Sequence, residues 1–123
     1  MEKYNGYEGY RGLNVYQKSY AATFEIYRRT KSFPREERDV LVPQMRRAAA
    51  SIPMNIAEGY GKKESEKEYR RFLVIAKGSC NEMSVQIDFC KDLGYITDED
   101  HKEMQSMYTD ISKMLTGLIK TVS

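Results

Sequence analysis

The residues QMRRAAASIPMNIAEGYG, Gln44 to Gly61, decide how this chain folds. Placed on a helix at ~100° per residue, they separate into three faces. Leu41, just upstream, joins Met45, Ala48, Ala49, Ile52, Ile56 and Tyr60 on an apolar face. Arg47, Ser51, Asn55 and Glu58 follow at steps of four, four and three as a polar stripe. Ala50, Pro53, Met54, Ala57 and Gly61 make a third face, small or apolar, that only Arg46 interrupts. So little of this helix suits water that it is expected at the centre of the fold, enclosed on more than one side. Pro53 removes one backbone hydrogen bond and should bend the axis, or split the stretch into two helices at Ile52.

Working outward, the helix exits at Gly59 and Gly61, and Lys62-Lys63 lead into a turn. Ser65-Glu66-Lys67-Glu68 then reads as a capping box opening a third helix. Its main stripe is Tyr69, Phe72, Leu73, Ala76, Cys80, Met83, Ile87 and Cys90. A second stripe, Val74, Gly78, Val85 and Phe89, lies on the far side. A bundle helix needs one apolar face, so the second is read as an oligomer contact, with Gly78 admitting another backbone. Gly94 closes this helix. Thr97 caps a fourth, with Asp98, Glu99 and Asp100 set against its N-terminal dipole and Met104, Tyr108, Ile111, Leu115, Leu118, Ile119 and Val122 inside.

Upstream, Asn14 is a plausible cap for a first helix that ends near Ser32, ahead of Pro34. Val15, Tyr16, Ser19, Tyr20, Thr23, Ile26, Tyr27 and Thr30 share one face of it, unusually rich in hydroxyls. Pro34 suits the start of a short connecting helix through Glu37 and Asp39. Residues 1–12, with Tyr4, Tyr7 and Tyr10 among glycines and charges, have no period and read as a flexible tail. Residues 13–123 then form one domain, an all-α antiparallel four-helix bundle.

The chain has 123 residues, 31% charged and 41% hydrophobic, ordinary for one helical domain. No apolar run spans a membrane and no signal-peptide core opens the chain, so a cytoplasmic protein is expected. Cys80 and Cys90 are the only cysteines. Ten residues apart on one helix, they stand about 15 Å from each other, beyond disulfide reach. With a single histidine beside them, no metal site or other cofactor is expected. Residues 1–71 carry 15 basic and 10 acidic side chains, whereas residues 72–123 carry 5 and 8. Such a split marks a candidate anion-facing side.

QMRRAAASIPMNIAEG, followed by KEYRRFLVIAKGSCNEM and DLGYIT, and preceded by IYRRTKSFPREER, resembles the bacterial four-helix-bundle proteins encoded in intervening sequences of 23S rRNA genes. The resemblance covers nearly the whole chain after the first dozen residues. It implies a ring-like homopentamer. It also implies a relation to the accessory proteins of diversity-generating retroelements, which bind a reverse transcriptase and nucleic acid.

No catalytic constellation appears in the sequence, and a lone Glu58 without a histidine or second carboxylate is a poor hydrolase. GYGKKES at Gly59–Ser65 lacks phosphate-loop spacing and follows a helix, not a strand. If the second and third helices turn near Lys63, Glu58 comes level with Tyr69 and Arg70, and Arg47 comes within reach of Glu82. The polar stripe is then structural, with Arg70 or Arg71 as the charged partner of Glu58. Lys62, Lys63, Lys67, Arg70 and Arg71 cluster at one end, interleaved with Glu64, Glu66 and Glu68. Arg28, Arg29, Lys31, Arg35 and Arg38 cluster toward the other. Repeated around an oligomer, such clusters would sum weak phosphate contacts on RNA or DNA without base readout. The expected function is a non-enzymatic, homo-oligomeric, nucleic-acid-associated scaffold or accessory subunit. The alternative is a protein-interaction adaptor with no nucleic-acid role.

Overall fold

The stretch Gln44–Gly61 lies almost wholly in one unbroken helix, α2, Leu41–Tyr60, with Pro53 buried inside it. A computed structural model describes residues 3–4 and 7–122 of the chain. Proline has no N–H for the carbonyl four residues back, which leaves Ala49 O without its helical donor. Thr23 of α1, Asn14–Thr30, supplies one: its Oγ1 stands 3.2 Å from Ala49 O and 2.8 Å from Ser19 O, sharing one hydrogen between them. A buried carbonyl is thus satisfied from a neighbouring helix, and α2 does not split at Ile52.

Two longer helices complete the bundle: α3, Glu66–Asp92, and α4, Asp98–Thr121. Ser65 caps α3 by accepting from Glu68 N, and Thr97 caps α4 by accepting from Asp100 N. Gly94 stands at φ +80, a left-handed turn that glycine enters without strain. Asn14 is not a cap. Leu13 holds that position, and Gln17 instead donates to Arg11 O at 2.8 Å. The link after α1 is a 3-10 turn, Arg35–Glu37, opened by Pro34.

The core runs the length of the bundle. Ile26, Met45, Ile52, Ile56, Leu73, Met83, Ile87, Met104, Ile111 and Leu115 are all completely buried. Contacts across the α2–α3 seam descend one helix as they ascend the other. Gly59 meets Tyr69 and Phe72, Ser51 Oγ meets Ser79 Oγ at 2.6 Å, and Met45 Sδ meets Cys90 Sγ at 3.5 Å. Gly61 is the C-cap of α2, as expected of the exit, whereas Gly59 lies in the last turn of the helix, where a Cβ would stand 2.8 Å from Phe72 Cβ.

Two expectations change here. On α1, Val15, Ser19, Ala22, Thr23, Ile26 and Thr30 are buried, whereas Tyr16 is half-buried and Tyr20 and Tyr27 are exposed. At ~100° per residue the three tyrosines lie roughly a quarter turn from the buried centre, and Ala22 takes the inward place. The second concerns residues expected in a loose tail. Gly9–Gly12 forms a 3-10 turn packed on α1 and α2, with Gly12 and Leu13 buried. Before it, Lys3–Tyr4 pairs antiparallel with Tyr7–Glu8. The tyrosine side chains at 4 and 7 lie outside the described residues.

Candidate interaction surfaces

The second stripe of α3 faces solvent. Val74, Val85 and Phe89 are each about half exposed, and Ile75 and Leu93, which the sequence reading did not include, extend the same surface. Among the described residues, nothing apart from the adjoining backbone of α3 itself comes within 4 Å of a Cβ placed on Gly78, so the middle of the stripe is open to another backbone. Ile75 and Leu93 were legible as apolar residues. Their place beside the stripe follows from the width of the buried face, which periodicity alone does not set.

A second apolar surface lies along the α1–α2 seam. Ala50, Pro53, Met54 and Ala57 floor a groove of about 640 Å³, walled by Tyr10, Tyr16, Tyr20 and Phe24. Met54 is 68% exposed and Phe24 57%. Phe24 lies outside the face read from α1, although it follows Tyr20 by four residues and precedes Tyr27 by three, a helical spacing legible in the sequence. α2 is packed on more than one side, against α1 and α3, while its third face is open over Met54 within one subunit.

The polar stripe does not behave as one unit. Ser51 and Asn55 are half-buried; Ser51 bonds Ser79 across the seam, and Asn55 Nδ2 donates to Ser51 O at 2.7 Å. Glu58 is exposed and pairs with Lys62, in the turn just after α2, at 3.5 Å, not with Arg70 or Arg71. Arg70 instead reaches the end of α4, donating to the carbonyls of Ile119 at 3.5 Å and Val122 at 3.3 Å, at the negative end of the helix dipole. Arg71 pairs with Glu68. Among the described residues Arg47 is exposed and forms no ion pair with Glu82. The hairpin brings Gly59 beside Tyr69, as expected at that end, but Met45 meets Cys90 at the other, so Arg47 lies well past Cys80, and the Glu58 and Glu82 carboxylates are exposed. Replacing Glu58 by Ala should consequently leave stability within about 0.5 kcal/mol, read by thermal melting.

The basic end is exposed but largely engaged. Lys62 also lies over the Phe72 ring, and Lys63 Nζ donates to Tyr60 Oη at 2.9 Å while sitting over that ring. Lys67 is exposed. At the opposite end, Arg28 and Arg29 both bond Glu25, and Arg29 crosses to Asp100 and Glu103 of α4. Cys80 and Cys90 are free and buried, and burial pushes both thiols up to about 12, which removes the reactive thiolate. Among the described residues no group of three or more His, Cys, Asp or Glu could hold a metal ion. None of the described helices is long and apolar enough to cross a membrane.

Residues 11–117 match the family described as 23S rRNA-intervening sequence protein. The chain belongs to that family. Among solved structures it is similar to a protein of unknown function from the S23 ribosomal protein family of Bacteroides thetaiotaomicron VPI-5482. That likeness has a TM-score of 0.78 and 26% identity over 86% of this chain and 95% of the other. No curated protein matches. The family match takes in the α3 stripe, the basic end and all of the groove except Tyr10.

Proposed function

We propose that this family member is a non-enzymatic cytoplasmic scaffold: an antiparallel four-helix bundle that assembles as a homopentameric ring and engages RNA or DNA. The observation that carries the reading is the outer stripe of α3. The bundle already has a filled core, yet Val74, Ile75, Val85, Phe89 and Leu93 stand in water on one side. A stripe of that size on so small a domain is best explained by cover from another chain. Repetition of Lys62, Lys63, Lys67 and Arg71 around a ring would give weak phosphate contacts the multiplicity they need. Arg70 is withdrawn from that set by its bonds to α4. A reverse transcriptase or a ribosomal RNA is the kind of partner that such an accessory subunit would serve.

The test couples mass with binding. Light scattering at micromolar concentration should return several times 14.3 kDa, and Val85→Glu should return the monomer with its helical content kept. Duplex RNA should bind the wild type with an affinity that falls steeply as salt rises, and Lys62→Glu/Lys63→Glu should abolish binding without changing mass. A monomeric wild type would end the scaffold reading. Intact assembly with no nucleic acid bound would leave the protein-interaction adaptor in its place.

A further inference from the structure

The groove wall continues as a ladder of rings along α1. Tyr16, Tyr20, Phe24 and Tyr27 follow at steps of four, four and three, with ring centroids 5.8, 5.1 and 6.4 Å apart. Tyr10, brought in by the 3-10 turn, extends the ladder at 5.0 Å. Cations cap it: the Arg11 guanidinium lies 4.7 Å over the Tyr10 ring, and that of Arg46 lies 4.7 Å over Tyr27. Arg46 is held there by bonds to Thr30 Oγ1 and Tyr27 O, both 3.1 Å.

Beyond Tyr27 the ladder opens onto a cavity of about 250 Å³ whose charged lining is wholly basic: Lys31, Arg35, Arg38 and Arg46. Among the described residues none of these four forms a salt bridge, unlike Arg28 and Arg29 next to them, which are tied to Glu25. Four like charges around one cavity repel each other unless an anion joins them. At the other end of the groove, Lys62 supplies a further cation.

We propose that the ladder and this basic cavity together form a binding site for single-stranded nucleic acid, with bases stacked on the rings and a backbone phosphate seated among Lys31, Arg35, Arg38 and Arg46. The proposal rests on the nucleic-acid reading above and names the form of the ligand and its place. Rings offer π-faces that any unpaired base can cover, whereas paired bases in a duplex present only edges. The cations explain why the occupant is an anionic polymer. Guanidinium groups already stacked on the ladder would lose water without compensation against an apolar partner, but they complement phosphates. Such a site is tolerant of sequence, because stacking does not read base edges.

Anisotropy titrations with labelled oligo-uridine and a hairpin duplex, at several salt concentrations, test the site. Tyr20→Ala/Phe24→Ala should weaken oligo-uridine by about tenfold or more, leaving duplex binding and assembly mass unchanged. Phe24→Trp, which keeps a ring, should retain affinity and report binding by quenching, since the chain has no other tryptophan. Arg35→Glu/Arg38→Glu should weaken the single strand and flatten its salt dependence. Oligo-uridine affinity that survives both double variants overturns the proposal. So does loss of assembly in Tyr20→Ala/Phe24→Ala, which would show a second copy in the groove. Wild type that binds duplex through Lys62 and Lys63 but not oligo-uridine removes the ladder site alone and leaves the scaffold reading standing.

Discussion

Gly59→Val is expected to destabilise the protein by about 3 kcal/mol or more, as overpacking at a helix crossing does. The position is buried in α2, and a Cβ there would stand 2.8 Å from Phe72 Cβ, 3.2 Å from a Tyr69 ring carbon and 3.3 Å from Tyr69 O. Two of those atoms belong to the backbone or its first side-chain carbon, so neither can swing aside. α2 and α3 must separate locally, which opens the seam closed below by Ser51 and Ser79. Valine's second branch adds to the conflict. A loss of that size is a large share of the roughly 5–15 kcal/mol that holds a domain together. Gly117→Ala is the control: it is also helical, nothing lies within 4 Å of the added carbon, and it should gain about 0.5–1 kcal/mol. Urea titrations of both variants at one protein concentration check the contrast. Equal behaviour would mean that α2 and α3 are not packed backbone to backbone at Gly59.

Arg29→Met should cost about 2 kcal/mol, on the scale of hydrogen bonds to charged groups. Arg29 is only 14% exposed in its side chain, and it binds Glu25 on α1 together with Asp100 and Glu103 in the first two turns of α4. Burial works against its charge, but the bonds from Glu25 and Glu103 outweigh that and hold its pKa above normal. The seam it closes is the least extensive in the bundle, so few apolar contacts stand in when it goes. Melting should fall by roughly 6 °C. The acid limb carries a second signature. The Arg28 hydrogen bond, aided by Arg29, holds the Glu25 carboxyl below its usual value of 4.5. A carboxylate lowered by folding contributes stability above its unfolded pKa and loses it as pH falls through the folded one. Stability should therefore drop below about pH 4.5 in the wild type, and less steeply in Arg28→Met/Arg29→Met.

The sequence by itself determined the four helices, the core stripes of α2, α3 and α4, the caps at Ser65 and Thr97 and the turn at Gly94. Each depends on residues within one or two turns of each other, so local pattern carries it. It also marked the second stripe of α3, because that stripe is periodic. Tertiary structure decided what periodicity does not contain. Thr23 repairs the gap left by Pro53 only because α1 lies beside Ala49. Gly59 is needed for the closeness of Phe72, not for a turn. Arg70 turns to the carbonyls at the negative end of α4, leaving Glu58 to Lys62, because which acceptors come within its reach depends on where α4 ends and not on the α2–α3 register. The 4-4-3 spacing of the rings on α1 was legible, but that Tyr10 and Arg46 stand at the two ends of the ladder was decided by the tertiary structure.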